Sequence, residues 1–324
     1  MWQATWTRDA LVAFGCDVEI VRITTTGDAD RNSAIINLGA QGVFTKEIQK
    51  ALLNNEIDVA AHSLKDLPVE PVPGLRLTAV PKRGDWRDVF LSNRYETLDD
   101  LPPGAIVGTS SARRKSMALR YQRERRPDET PWDVRNARGN VETRLRKLDD
   151  GEFDAIILAN AGLTRLGFDD RKRVFLPQPE FLPAVGQGAL GLETREDDEE
   201  TNVLVSQLLD VPTYLSVVAE RAFLATLKGG CLAPVGARAR IVIDPAVGAA
   251  LAFDYQVLSL DGSQWLGGSD RRTFDETAPL ETNRAFAERC GVDAAERLLA
   301  AGVDELLRDV KMIREENARR NSSR

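Results

Sequence analysis

Twice in this chain a helix-period apolar pattern runs straight into a short apolar strand. The two stretches are VFTKEIQKALLNNEIDVAAHSLKDLP (43–68) and NVETRLRKLDDGEFDAIILANAGL (140–163). In the first, Phe44, Ile48, Ala51 and Leu52 recur at helical spacing, and IDVAAHSL follows as a buried strand. In the second, Val141, Leu145 and Leu148 form the stripe and FDAIILA the strand. Between them, AIVGTSSARRKSMALRYQ (105–122) reads as strand, tight turn and helix. Such alternation predicts an α/β fold of parallel or mixed sheets with helices on both faces.

Proline and glycine clusters break the chain at VEPVPGL (69–75), DLPPGA (100–105) and LPQPEFLPAVGQGALG (176–191). The last reads as a crossing between two lobes. Beyond Val211 the texture changes: ARARIVID, ALAFDYQVLSL and QWLGGSDRRTF are strand-like, with Asp261-Gly262 as a hairpin turn. Helical patterns follow over 281–301 and 303–318, giving a small C-terminal α+β domain. A length of 324 residues accommodates two or three such units.

Several function classes drop out. A single histidine, His62, and the lack of any CxxC spacing argue against a metal site and against Ser-His-Asp or Cys-His chemistry. Cys16, Cys231 and Cys290 are odd in number and widely spaced, which fits a reducing compartment, and the cytoplasm is the expected location. No apolar run reaches the length of a membrane span, and MWQATWTRDALVAFG lacks the pattern of a secretory signal, so neither membrane attachment nor export is expected.

The net charge of −7 conceals a basic block. From Arg113 to Lys147 twelve Lys/Arg face five Asp/Glu. An acidic protein with one such block either holds an anion there or exposes a solvated helix face. Gly108-Thr109-Ser110-Ser111 follows a strand and opens a helix, so its N–H groups and hydroxyls can hold an anion beside Arg113 and Arg114; an ordinary Ser N-cap is the alternative. Arg138-Gly139-Asn140, with Arg144 one turn on, repeats the arrangement, and Arg165 follows the next strand. Two helix starts and five arginines near the strand ends of one sheet favour a polyanion ligand. Lys65 and Asp66 end the first unit's strand, as a surface pair or as a carboxylate that stabilises a cation in a positive pocket. His62 reads as structural. Cys231, in KGGCLAP, is a small buried hydrophobe, a redox thiol or an attachment point, and without a histidine or a second nearby cysteine attachment is favoured.

In order, HSLKDLP, VGTSSARR, ARGNVETRLRKLDDGEFDAIILANAGLTRLG, LPAVGQGALG and GGCLAPVG resemble the hydroxymethylbilane synthase family, also called porphobilinogen deaminases, from about Val18 onward. The resemblance implies a dipyrromethane cofactor attached to Cys231. It implies a transferase of porphyrin and heme biosynthesis that condenses four porphobilinogen units with release of ammonia and then hydrolyses the linear tetrapyrrole from its primer. By the same resemblance Asp66 is catalytic, stabilising the cationic azafulvene left by deamination. Lys65, Thr109, Ser110, Ser111, Arg113, Arg114, Arg138, Arg144 and Gln187 bind cofactor, and Arg165 binds substrate. The implied fold has two lobes like those of periplasmic binding proteins: lobe 1 from 1–81 and 189–206, arginine-rich lobe 2 from 87–182, and a domain over 211–324 presenting the cysteine loop. A monomer acting on porphobilinogen, with no nucleic-acid or membrane partner and no metal, is expected.

Two departures accompany the resemblance. The family's first strand, with its Arg-x-Ser stretch, has no counterpart, because Met1-Trp2-Gln3-Ala4 reads as already inside the following helix; such a strand is expected to be encoded upstream. The glycine loop reads Asn37-Leu38-Gly39-Ala40-Gln41-Gly42, without lysines usual at two positions. The competing readings are an inactive truncated relative, a two-lobed module binding a small anion, and a nucleic-acid binder; for the last, only Tyr121 and Trp132 supply aromatics within the basic block.

Overall fold

The computed structural model describes residues 1–23, 41–228, 233–244, 248–308, 310 and 312. Cys231 and most of the glycine loop, 37–40, lie outside the described residues, and Gln41 begins a helix, Gln41–Leu53. Strands β1 (Ala60–Ser63), β2 (Leu75–Ala79), β3 (Asp88–Leu91), β4 (Ile106–Gly108), β5 (Asp133–Arg135), β6 (Ala155–Ala159), β7 (Val174–Phe175), β8 (Leu190–Arg195), β9 (Val235–Asp244), β10 (Gly248–Leu258) and β11 (Trp265–Thr273) fall into three sheets. The fold is mixed α/β with a small C-terminal unit.

The middle sheet, ordered β5-β4-β6-β3-β7, carries the expected parallel core: β4 pairs in parallel with β5 and β6, while β3 pairs antiparallel with β6 and β7. Apolar side chains make it. Val107, Ile156 and Ile157 are fully buried, with Phe90, Met117 and Phe181 closing one face and Leu145, Leu148 and Leu163 the other.

In the first sheet, expected to be parallel or mixed, the pairs among the described residues are antiparallel. Its described order is β1-β8-β2, with Ala60 opposite Glu193 and Leu75 opposite Arg195. The 43–68 pattern correctly marks a helix and a strand, but the partner is supplied by the end of the 176–191 crossing, which enters in the opposite direction. Periodicity fixes which face of a strand is buried, not which strand lies beside it.

The third sheet, β11-β10-β9, is an antiparallel meander packed on helices Val211–Leu227 and Leu280–Ala300. Phe223, Phe253 and Tyr255 form its aromatic centre, with ring centroids 5.2–5.5 Å apart. The two helices approach very closely at Gly291, where an added Cβ would lie 2.1 Å from the Ala219 carbonyl oxygen. Gly291→Ala is therefore expected to cost about 1–3 kcal/mol in urea unfolding, because backbone rather than a flexible side chain must yield. An unchanged midpoint would show that the helix pair separates without penalty. After Gly302 the helix Val303–Leu306 begins the second C-terminal pattern, most of whose remaining residues lie outside the described ones.

Among the described residues no single helix is long and apolar enough to cross a membrane.

Candidate active site

A cleft of about 340 Å³ opens where β1 ends. Past Ser63 the chain tightens into a 3-10 turn, Leu64–Asp66, that projects Lys65 and Asp66 into the cleft. Leu64 anchors this turn. Its side chain is buried and its N–H donates to the Ala189 carbonyl at 3.1 Å. Gly186 holds φ +69°, and its backbone lies so close that an added Cβ would sit 3.3 Å from the Lys65 nitrogen. The crossing segment thus clamps the turn from below and brings Gln187 and Gly188 into the cleft wall.

Arg165 enters from the opposite wall at the end of helix Asn160–Arg165. It donates to the Gly188 carbonyl at 3.0 Å and to Ser63 Oγ at 3.4 Å, and the ring of Trp2 lies 5.0 Å from its guanidinium carbon. Gln3 also donates to Ser63 Oγ, at 3.0 Å, so helix Trp2–Val12 supplies the remaining rim. Burial lowers the pKa of Arg165, and the Asp66 carboxylate opposes that shift. Asp66 is the one acidic residue of the described lining.

Behind this wall stand Arg113 and Arg114, in the first turn of helix Ala112–Arg125. Ser111 caps the helix by accepting from the Arg114 N–H at 3.4 Å; Thr109 is buried, and Ser110 Oγ donates to the Ala137 carbonyl at 2.6 Å. Both guanidiniums turn inward. Arg113 donates to Asp88 Oδ2 at 2.7 Å and to the Leu182 carbonyl at 2.5 Å, and Arg114 donates to Asp88 Oδ1 at 2.8 and 3.1 Å through Nη2 and Nε. Gln187 adds a third bond to Asp88 Oδ1, at 2.7 Å, and its amide also donates to the Trp86 carbonyl at 2.7 Å. Burial raises the Asp88 pKa, but the two guanidiniums prevail and hold it well below the ordinary carboxylate range.

The sequence reading aimed Arg113 and Arg114 at a ligand's carboxylates; the structure pairs both with Asp88, for an electrostatic reason. Each is nearly fully buried beside β3, where an unpaired cation would be costly. Two cations against one carboxylate still leave one positive charge, and Nε of Arg113 is buried with no hydrogen-bond partner.

Arg144, in helix Val141–Asp149, bonds the Gly139 carbonyl through Nε at 2.9 Å, and its pKa is lowered by burial and by Arg114 nearby. Asn140 caps this helix through the Thr143 N–H at 2.8 Å, and Arg138 is exposed just before it. Lys65 reaches solvent through the cleft, yet the protein around it lowers its pKa; Asp66 opposes this, Arg114 and Arg113 add to it, and Asp88 opposes it.

Much of the basic block serves the fold instead. Arg120, Arg125, Arg126, Arg135 and Lys147 pair with Glu124, Glu180, Glu129, Asp133 and Glu152. The raw charge excess therefore overstates what faces the cleft. His62 is buried, its Nε2 3.1 Å from Glu193 Oε2, and Gln49 donates to the same carboxylate at 3.0 and 3.1 Å. Among the described residues no three His, Cys, Asp or Glu side chains cluster as metal ligands.

Two residues escaped the sequence reading. Asp88 carried a usable signal, an acid opening the otherwise apolar strand DVFL. Glu220 carried less, sitting within the ordinary helix sequence VAERAF, yet it is fully buried and binds Arg83 at 2.6 and 3.1 Å, the Gly186 N–H at 2.8 Å and the Ala239 N–H at 3.0 Å. It joins the crossing to β9.

Residues 1–203 match the family model described as porphobilinogen deaminase, dipyromethane cofactor binding domain, and residues 214–300 match porphobilinogen deaminase, C-terminal domain. Among solved structures the chain is similar to an ABC transporter periplasmic substrate-binding protein from Coxiella burnetii, at 15% identity over 68% of this chain and 91% of that one, with a TM-score of 0.37. It is also similar to an ancestral cationic amino acid solute binding protein, at 15% identity over 64% and 77% of the two chains, with a TM-score of 0.37.

Proposed function

The chain belongs to the porphobilinogen deaminase family, having both its dipyrromethane-binding and its C-terminal domains, and from that premise we propose that it catalyses hydroxymethylbilane synthesis. As a transferase of porphyrin and heme biosynthesis, it joins four porphobilinogen molecules head to tail, releases one ammonia at each, and hydrolyses the linear product from a dipyrromethane primer. The observation that carries this reading is Asp66, the one acid of the described cleft lining, set between Lys65 on its own turn and Arg165 on the facing wall.

The donor set suits such a cofactor. Dipyrromethane carries acetate and propionate side chains, and Lys65 in the cleft, with Arg144 and the charge excess of the Arg113–Arg114–Asp88 node behind it, offers cations to them; Arg138, exposed before helix Val141–Asp149, is proposed as a further one. Thr109, Ser110 and Ser111 add hydroxyls and a helix start, and Gln187 adds an amide beside the node. Planar guanidinium forks match carboxylates better than ammonium groups do. When bound, dipyrromethane supplies the pyrrole carbon at which the chain is extended, and Cys231 is its proposed attachment. Gly236, five residues beyond Cys231, packs against Met117 and Leu182, next to Arg113.

The protein's own chemistry lies with Asp66 and Arg165. Arg165 holds a substrate carboxylate. As the aminomethyl C–N bond of porphobilinogen breaks and the electron pair leaves with ammonia, positive charge spreads over the pyrrole. The Asp66 carboxylate lowers the energy of that charge, and Lys65 and Arg165 keep Asp66 oriented. In this reading residues 1–81 with 189–206, 87–182 and 211–324 are the three domains, and the enzyme works as a cytoplasmic monomer.

Intact mass of protein made in a host that produces porphobilinogen tests the assignment. The parent should carry an added dipyrromethane, and Cys231→Ser should not. A folded parent with no added mass, or equal loading of both proteins, would overturn it.

A further inference from the structure

The turn that carries Asp66 is held at its entry by the crossing, through the Leu64 N–H and Gly186. Its exit is held by a side chain from far along the sequence. Arg221, in helix Val211–Leu227, donates through Nη1 to the Leu67 carbonyl at 3.1 Å and through Nη2 to the Pro68 carbonyl at 2.7 Å. Unlike Arg83 and Arg113, whose guanidiniums bond buried acids, Arg221 bonds only these two carbonyls among the described residues. Burial lowers its pKa, Glu193 and Glu70 oppose the shift, and the guanidinium stays charged.

A planar fork that meets two consecutive carbonyls fixes both peptide planes at once, because its two Nη groups cannot turn independently. Leu67 is buried, with φ −80° and ψ 123°, the extended region to which a residue before proline is confined. Asp66 therefore lies between two anchored residues, Leu64 and Leu67. The helix that bears Arg221 ends at Leu227, four residues before Cys231 in the sequence. The element that holds the acid's turn is thus the one from which the proposed attachment segment continues. We propose that Arg221 is a positioning residue, which fixes the exit of the Leu64–Asp66 turn and thereby sets the place of the Asp66 carboxylate in the cleft. This deepens the function proposed above and rests on the role given there to Asp66.

Amide hydrogen exchange of the full-length protein reads the turn without substrate. In Arg221→Met the peptide over 60–70 should exchange about tenfold faster, with β4 and β6 unchanged. Steady-state kinetics read the consequence. Arg221→Met should lose about ten- to a hundredfold in kcat with KM within about twofold of the parent's, the scale of a reacting group displaced by about an ångström. Arg221→Lys, which offers a single ammonium in place of the fork, should fall between the two. In an Asp66→Asn background Arg221→Met should cost no further turnover, because the group it positions has lost its charge. A merely structural loss would lower turnover equally in both backgrounds, and that result overturns the proposal. Parental exchange or parental kcat in folded Arg221→Met overturns it too. Should Arg221→Met not fold, Arg221→Lys decides, and parental exchange or turnover there counts against the proposal in the same way. A parent that folds but makes no tetrapyrrole removes the proposed reaction instead, and the exchange result still decides whether Arg221 fixes the turn.

Discussion

Asp66→Ala should retain binding of porphobilinogen and lose about two to three orders of magnitude in kcat, the usual effect of removing one preorganised electrostatic partner of a transition state. The expectation follows from the sign of the surroundings. The described cleft lining holds Lys65 and Arg165 and a single acid, and Arg144 and the Arg113–Arg114–Asp88 node lie close behind. These cations suit the substrate's carboxylates in the ground state but repel the positive charge that develops as ammonia leaves. Asp66 alone in that lining has the opposite charge, so its removal harms the transition state more than the bound substrate. KM should therefore change little while kcat falls. Asp66→Asn keeps the shape and removes the charge, and should fall nearly as far. Steady-state kinetics decide the matter: if either variant turns over like its parent, Asp66 has no role in the charge-forming step.

Glu220→Ala is expected to give the largest loss of stability, about 3–5 kcal/mol, as befits a buried ion pair broken from one side. The side chain is fully buried, Arg83 grips both oxygens, Arg238 stands 3.7 Å away, and two backbone N–H groups end on the carboxylate. Truncation leaves two guanidiniums without their counter-charge and two buried donors without acceptors. Arg238 already has a buried Nε with no partner, and burial, reinforced by Arg83, lowers its pKa to about 10 against the pull of Glu220. A natural domain is stable by only about 5–15 kcal/mol, so this one change threatens folding. Urea unfolding should show it, and a loss below about 1 kcal/mol would mean that water replaces the carboxylate without penalty. Since Glu220 ties the crossing at Gly186 to β9, the C-terminal unit should also become more susceptible to proteolysis at the junction.

The elements that declared themselves in the sequence share a physical basis: each is set by neighbours within about one turn of helix or a few residues of strand. The helix stripe at Leu145 and Leu148, the strand AIILA, the cap at Ser111, the helix start at Asn140, and the turn at Gly262 are all of this kind, and the structure contains each one. Lys65 and Asp66 were legible as strand-end groups for the same reason.

What remained hidden required partners far along the chain. The described strands β1 and β2 both pair antiparallel with β8, which comes from more than a hundred residues downstream, and no local pattern encodes that partner or its direction. The basic block looked like one anion site, but folding matched most of its side chains to acids, and placed Asp88 so that Arg113 and Arg114 face inward. Sequence by itself determined which segments are helix and strand and which residues have the chemistry, because backbone preference and side-chain type are local properties. Tertiary structure alone decided which charges neutralise each other and which remain for a ligand, because burial of a charge depends on what the rest of the chain brings within a few ångströms of it.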